Sequence, residues 1–150
     1  MIAVIQRVSK ASVAIDGLVK SSISQGLLVL LGVAHDDNSE DVEWLSKKIC
    51  DMRIFSDIEG KMNLSVKEIG GDILLVSQFT LHAQTKKGNR PSFIEAARPE
   101  IAIPLYEEMI SAISIALGKE VFTGTFGADM KVELLNDGPV TIIIDSKNKK

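Results

Sequence analysis

The sequence predicts a mixed α/β fold: a largely antiparallel sheet, curled towards a barrel, with two main helices covering one side. Three observations carry this. Runs dense in Ile, Val and Leu crowd both ends of the chain, and only two stretches space their apolar residues as helices do. Regular strand–helix alternation, the mark of an all-parallel sheet, is missing. The 150 residues are most simply one domain, a size that buries about 70% of the unfolded surface.

The elements follow in order. Met1–Val8, Ala11–Ile15 and Gly26–Ala34 read as strands, with Asp16-Gly17 as a hairpin turn signal. A helix follows: Asn38 or Ser39 can cap it, Glu40, Asp41 and Glu43 crowd its first turn, and Lys47 and Lys48 suit its far end. Val42, Leu45, Ile49 and Met52 form its apolar stripe, with Trp44 and Cys50 as flank packing. A short strand is expected around Arg53–Phe55, and a strong one over Asp72–Leu81, with a loop over 82–97. The second helix covers about 99–117 and ends at Gly118, with Leu105, Met109, Ala112 and Ala116 on its buried face. Pro104 implies either a late start or an irregular first turn. Val121–Thr125, Met130–Leu135 and Val140–Asp145 close the chain as strands, and 145–150 reads as a flexible tail.

Asn136-Asp137-Gly138-Pro139 lies between the last two of these. It reads either as a plain turn or as a Gly-Pro pair held in an unusual geometry because something contacts its backbone.

Bulk properties exclude several classes. A net charge of −3 argues against coating long nucleic acid, although His82, Lys86, Lys87 and Arg90 could make a small basic contact with one RNA end. A single cysteine rules out an internal disulfide and fits a reducing compartment, with the cytoplasm as default. No apolar run approaches a membrane span, and no signal peptide is evident. No glycine-rich phosphate loop, no zinc spacing and no G-x-S-x-G elbow is present, so no cofactor and no metal are expected. Glu107-Glu108 reads as a solvated helix surface, and nothing ties His35 or His82 to a hydroxyl and an acid. The protein is therefore a binding module or an enzyme that does little with its side chains. Ser77-Gln78-Phe79-Thr80-Leu81 stands out: two hydroxyls and an amide interrupt an apolar strand, either as cross-strand polar pairs or as a strand end facing a ligand.

"SQFTL" at 77–81, "KKGNRPSF" at 86–93, "GTFGADM" at 124–130 and "NDGPVT" at 136–141 together resemble the D-aminoacyl-tRNA deacylase family. "QRV" at 6–8 followed by "ASV" at 11–13 resembles that family's opening, so the match runs the length of the chain in order.

The resemblance implies a homodimeric enzyme hydrolysing the ester between a D-amino acid and the terminal adenosine of tRNA. Gly138-Pro139 would be a cis pair reaching from one subunit into the site of the other, where its carbonyls exclude an L side chain; glycyl-tRNA would be at risk of hydrolysis. Arg7 would brace that pair. Phe79 and Thr80 would be catalytic, through backbone N–H donors, with Thr80 positioning the substrate in preference to attacking it. Ser77 and Gln78 would contact the adenosine or the α-amino group, Met130 the adenine side, and Lys86, Lys87 and Arg90 the acceptor-stem phosphates. A non-catalytic binding protein of the same fold, and a deacylase clearing an L-amino acid from mischarged tRNA, are the competing readings.

Overall fold

β1 (Ile2–Ile15) is the strand on which the others assemble. The computed structural model describes residues 1–150. β1 runs unbroken where the sequence suggested two strands, and it pairs on both edges. Along one edge residues 2–8 meet β3 (Gly26–Gly32) and residues 11–15 meet β2 (Leu18–Ile23), both antiparallel. Along the other edge lies β8 (Lys131–Asp145). β6 (Asp72–Ser77) continues from β3 in parallel, and β7 (Phe122–Thr123) from β6, also in parallel. The sheet is mixed, as expected.

The circle closes through side chains. Lys20 Nζ donates to the Thr123 carbonyl at 3.1 Å, to the Thr123 hydroxyl at 3.1 Å and to the Gly124 carbonyl. Ser21 donates to the Thr123 carbonyl at 2.6 Å. These bonds bring β2 back against β7 and complete the barrel-like layer.

Strand alternation then sorts the apolar residues onto two sides. Val8, Val13, Leu28, Leu74 and Val76 pack inside the barrel. Ala3, Ile5, Leu27, Val29, Leu31, Ile73 and Leu75 face outwards into a larger core beneath the helices α1 (Ser39–Asp51) and α2 (Pro99–Leu117). Because β3 and β6 are covered on both faces, their sequences are continuous apolar runs.

α1 begins with a full capping box: Asn38 accepts from the Glu40 amide at 2.8 Å and Asp41 accepts from the Asn38 amide at 3.0 Å. Val42, Leu45 and Ile49 are buried as expected, but Cys50 lies in the core instead of on the flank. Trp44 is half-buried beneath Lys149, whose ammonium sits 4.6 Å from the ring centre.

α2 starts at Pro99 and carries Pro104 inside it. Neither expected irregularity is needed, because the missing amide costs one bond on an exposed side. Its fully buried residues are Ala102, Tyr106, Met109 and Ile113. Of the expected face Met109 is among them, and Leu105, Ala112 and Ala116 are partly buried against the same core, while Glu100, Glu107, Glu108 and Ser111 lie exposed on the opposite side. Gly118 ends it at φ +76°, the left-handed conformation glycine adopts freely.

β4 (Phe55–Ser56) and β5 (Met62–Leu64) form a small separate hairpin. The expected strand over Asp72–Leu81 ends at Ser77, and Phe79–His82 forms a 3-10 turn. No helix is long and apolar enough to cross a membrane.

Residues 145–150, expected as a loose tail, are tied down. Ser146 donates its amide to the Met1 carbonyl at 2.9 Å, and its hydroxyl accepts from the Met1 ammonium. That ammonium also meets the fully buried Asp37 carboxylate, which takes the Ala34 amide at 2.7 Å. Lys147 reaches Asp41 at 2.9 Å.

Burial opposes ionisation of Asp41, but hydrogen bonds from Ser146, Lys147 and the Asn38 amide outweigh it and hold the carboxyl at about 2, below its ordinary 3.8. A depressed folded pKa stabilises above the unfolded value, and that contribution disappears as pH falls through the folded one. The difference corresponds to about 2 kcal/mol. Urea unfolding of Asp41→Asn is expected to show a loss of about that size near pH 7, and the gap to the parent should close as pH falls from about 4 towards about 2.

Candidate functional site

The parallel strands β3 and β6 both run out at the same end of the sheet, and the cleft lies there. The last ladder contact is the Gln78 amide donating to the Leu31 carbonyl at 2.7 Å. The chain then turns into Phe79–His82, leaving Ser77 and Gln78 half-buried and Phe79 and Thr80 exposed. A cavity of about 250 Å³ opens beside this turn.

Ser77, Gln78 and Phe79 form one wall of the cavity, and Phe126–Met130 form another. Ala97, Ala102 and Tyr106 supply a third from the start of α2. The lining is mostly apolar with a few polar groups converging on it, the usual make-up of a small-ligand site. Phe79 is held edge-on by Phe93, with ring centres 5.1 Å apart and planes at 73°. Phe93 belongs to the 82–97 segment, which is bridged to itself at Gln84 and Ser92 and to the end of β3 at Ala34 and Ala96.

Ser77, Gln78, Phe79 and Met130 thus meet in one cleft, and Thr80 joins them through Gln78, whose Nε2 donates to its hydroxyl at 2.6 Å. Thr80 Oγ1 therefore accepts from Gln78 and keeps its own proton to donate. Lys86, Lys87 and Arg90 are exposed on the projecting loop and line no part of the cleft.

The sequence assigned no role to Tyr106, nor to Gly124 and Phe126 within the GTFGADM segment. Tyr106 donates to the Leu75 carbonyl at 2.9 Å, and burial pushes its hydroxyl up to about 12, so it stays a neutral wall. It lies on the buried side of α2, opposite Glu100, Glu107 and Glu108, where an aromatic reads as core packing. Burial, reinforced by the Asp51 charge, raises the Cys50 thiol to about 11, and it lies outside the cleft. No histidine lines the cavity; His35 Nε2 faces Glu95 at 3.3 Å instead. Asp129 is the one charged lining residue, and it points into solvent beside Lys131.

Gly138 and Pro139 do not line the cleft of their own chain. Nor do they form a turn between two strands: β8 is continuous from Lys131 to Asp145, and the pair stands in a bulge within it. Gln6 pairs with Thr141 and Val8 with Asn136, so Asp137–Val140 face Arg7 alone. The Gly138-Pro139 peptide is cis, and both residues are exposed. Arg7, 9% exposed, spans the gap: Nε donates to the Asp137 carbonyl at 2.9 Å and Nη1 to the Ile54 carbonyl at 2.6 Å.

A family model described as D-Tyr-tRNA(Tyr) deacylase matches residues 4–145. A D-aminoacyl-tRNA deacylase of Cytophaga hutchinsonii is 67% identical over 150 residues, covering 100% of both chains. One from Bacteroides thetaiotaomicron is 64% identical over 147 residues, covering 98% of both. Among solved structures, a c-Myc DNA unwinding element binding protein superposes with a TM-score of 0.92 at 39% identity, covering 97% of this chain and 98% of that one. A probable eukaryotic D-amino acid tRNA deacylase gives 0.82 at 18% identity, covering 95% and 97%, a likeness of fold alone. The chain belongs to the D-Tyr-tRNA(Tyr) deacylase family.

The Met130 wall depends on Gly124. A Cβ at Gly124 would stand 2.4 Å from Met130 Sδ, too close to coexist, while the backbone there needs no special glycine conformation. Gly124→Ala is expected to fold and to displace the Met130 thioether. In substrate kinetics it should raise KM about 5- to 30-fold, with kcat changing less, as when one apolar contact worth about 1–2 kcal/mol is lost.

Proposed function

We propose that this protein hydrolyses the ester joining a D-amino acid to the terminal adenosine of tRNA, releasing the free D-amino acid and tRNA. It is a hydrolase whose site supplies position and polarity, not acid–base groups. The observation that carries this reading is the Ser77–Thr80 corner, in a chain that the family model matches over residues 4–145.

The chemistry suits such a corner. Water adds to the ester carbonyl, and the carbonyl π electrons move onto oxygen. Collapse of that oxyanion expels the ribose oxygen, which takes up a proton, and leaves the carboxylic acid. An aminoacyl ester is already activated, and the vicinal ribose hydroxyl can relay the proton. Phe79 and Thr80 open the 3-10 turn, and the first amides of a helix have no partner inside it. Aimed at the oxyanion, each such donor is worth about 2.7–4 kcal/mol. Thr80 positions, since no base stands beside it to make its oxygen a nucleophile. Ser77 and Gln78 contact the adenosine or the α-amino group, and Met130 packs on the adenine. Lys86, Lys87 and Arg90 reach towards acceptor-stem phosphates. The cytoplasm, where aminoacyl-tRNA is made and used, is where such an activity is needed.

Chirality is read by Gly138 and Pro139 of a second copy of the chain. They are exposed, braced from behind by Arg7 and outside their own cleft, which suits an element serving a partner's site in a homodimer. Their carbonyls fill the volume an L side chain would need, whereas a D-ester turns its side chain away. A gate of this kind rejects one hand and is indifferent to side-chain identity, so glycyl-tRNA is also hydrolysed.

The first test is hydrolysis of matched D-tyrosyl-tRNA and L-tyrosyl-tRNA by the purified protein in EDTA. The D-ester alone should be lost. Loss of both would favour the L-clearing sibling activity, and loss of neither a binding protein. Gel filtration should give twice the chain mass; a stable monomer would remove the cross-subunit gate. Thr80→Val keeps the shape and deletes the hydroxyl. Turnover is expected to fall by less than about 100-fold, whereas a loss on the order of 10⁴ would assign Thr80 as the nucleophile. A Cβ at Gly138 would meet the Val140 amide nitrogen at 2.8 Å and Val140 Cγ2 at 2.7 Å, at φ +149°. Gly138→Ala must therefore move the bulge, and L-ester hydrolysis should rise by about tenfold or more, equivalent to about 1.4 kcal/mol of lost discrimination.

A further inference from the structure

The bulge that carries Gly138 and Pro139 is closed at its neck by a side chain, not by backbone pairing. Val140 donates its amide to Asn136 Oδ1 at 2.8 Å. Asn136 Nδ2 donates in return to the Val140 carbonyl at 3.1 Å and to the Thr141 hydroxyl at 3.2 Å. The Asn136 carboxamide thus offers Val140 the donor-and-acceptor pair that a peptide of a neighbouring strand would offer. Gln6 Nε2 donates to the same Thr141 hydroxyl at 3.3 Å, so the clip is tied to β1 where regular pairing resumes. Arg7 holds the opposite limb through the Asp137 carbonyl at 2.9 Å. Gly138 and Pro139 stand free between these two anchors.

We propose that Asn136 is a specificity-determining positioning residue: its side-chain amide fixes how far Gly138-Pro139 projects, and so sets the discrimination between D- and L-aminoacyl esters. The proposal rests on the gating role given to that pair above.

The chemistry of the clip is narrow. An Asp at this position would accept from the Val140 amide but would turn a second oxygen against the Val140 carbonyl. A Ser could satisfy only one of the two groups. A Gln would add a methylene and push the neck apart. With the clip gone, Arg7 still holds Asp137, but the Val140 limb can swing and carry the gate carbonyls with it. A gate that works by occupying space fails on a displacement of roughly 1 Å, while a D-ester that never touches that space is little affected.

The experiment is the ratio of D- to L-tyrosyl-tRNA hydrolysis for Asn136→Asp and Thr141→Val, with thermal unfolding and gel filtration to confirm folded dimers. Asn136→Asp is expected to lower the ratio by about tenfold or more, through faster L-ester hydrolysis with the D-rate held within about threefold. Thr141→Val, which deletes only the outer acceptor, is expected to lower it by about two- to fourfold. An unchanged ratio in a folded Asn136→Asp dimer overturns the proposal. Gly138→Ala separates the two levels. If it relaxes discrimination while Asn136→Asp does not, the clip is merely structural and the gate stands. If neither variant changes the ratio, the gate falls and the proposal falls with it. Should Asn136→Asp fail to fold, Thr141→Val carries the test, and an unchanged ratio there is equally fatal.

Discussion

β1 hydrogen-bonds three other strands, and the rest of the molecule depends on that sharing. Its first half joins β3 to β8, and its second half joins β2 to β8. The sheet must therefore bend about β1, which separates an inner barrel core from the outer core beneath the helices. Arg7 sits near the changeover, with a side chain only 10% exposed. A buried guanidinium is tolerated only when its charge and donors are satisfied; the carbonyls of Asp137 and Ile54 accept its donors, and the Asp137 carboxylate lies 3.6 Å from Nε. One charged side chain thus fixes the β8 bulge to the base of the β4–β5 hairpin. The planar fork of arginine can serve two carbonyls at once; a lysine could not hold the same geometry.

The cleft follows from the same construction. β3 and β6 end together, so the chain leaving β6 must turn away from the sheet, and that turn presents its opening amides. Apolar residues from α2 and from the 126–130 segment wall the space around them. No histidine, cysteine or lysine lines the cleft to move a proton, and none is needed if the substrate brings its own hydroxyl. A site of this kind places the demand on geometry, which accounts for the number of residues devoted to holding backbone in place: Arg7 and Asn136 at the bulge, Lys20 and Gly124 behind Met130, Phe93 against Phe79.

Much of this was legible beforehand, and the misses have physical causes. The two helices, the capping at Asn38, the Gly118 stop, the strands β3 and β6 and the two limbs of β8 were readable from spacing and composition. The Ser77–Thr80 and Gly138-Pro139 motifs were readable as exceptions to it. The division of β8 into two strands was wrong because a side-chain amide replaced the missing backbone partner, and sequence spacing carries no sign of such a substitution. The strand through Leu81 was overextended because Phe79 and Leu81 are as apolar as strand residues, while the turn is dictated by where β3 runs out. Tyr106 escaped because it sits on the buried side of its helix, where spacing shows a core aromatic but not the cleft that the aromatic walls. Strands β2 and β5 are short and largely exposed, so their sequences have no apolar alternation to show.

The seam between β2 and β7 differs in kind from every other strand junction in the barrel. A backbone ladder sets the spacing of its strands rigidly, at about 4.8 Å. Here the strands are held by side chains instead: Lys20, a four-carbon arm ending in a three-donor head, and the short Ser21 hydroxyl. The Thr123–Gly124 carbonyls that receive these bonds lead directly into the wall formed by Phe126–Met130. The contacts that close the barrel therefore also hold the segment that walls the site, so closure of the fold and shape of the cleft share one stretch of chain.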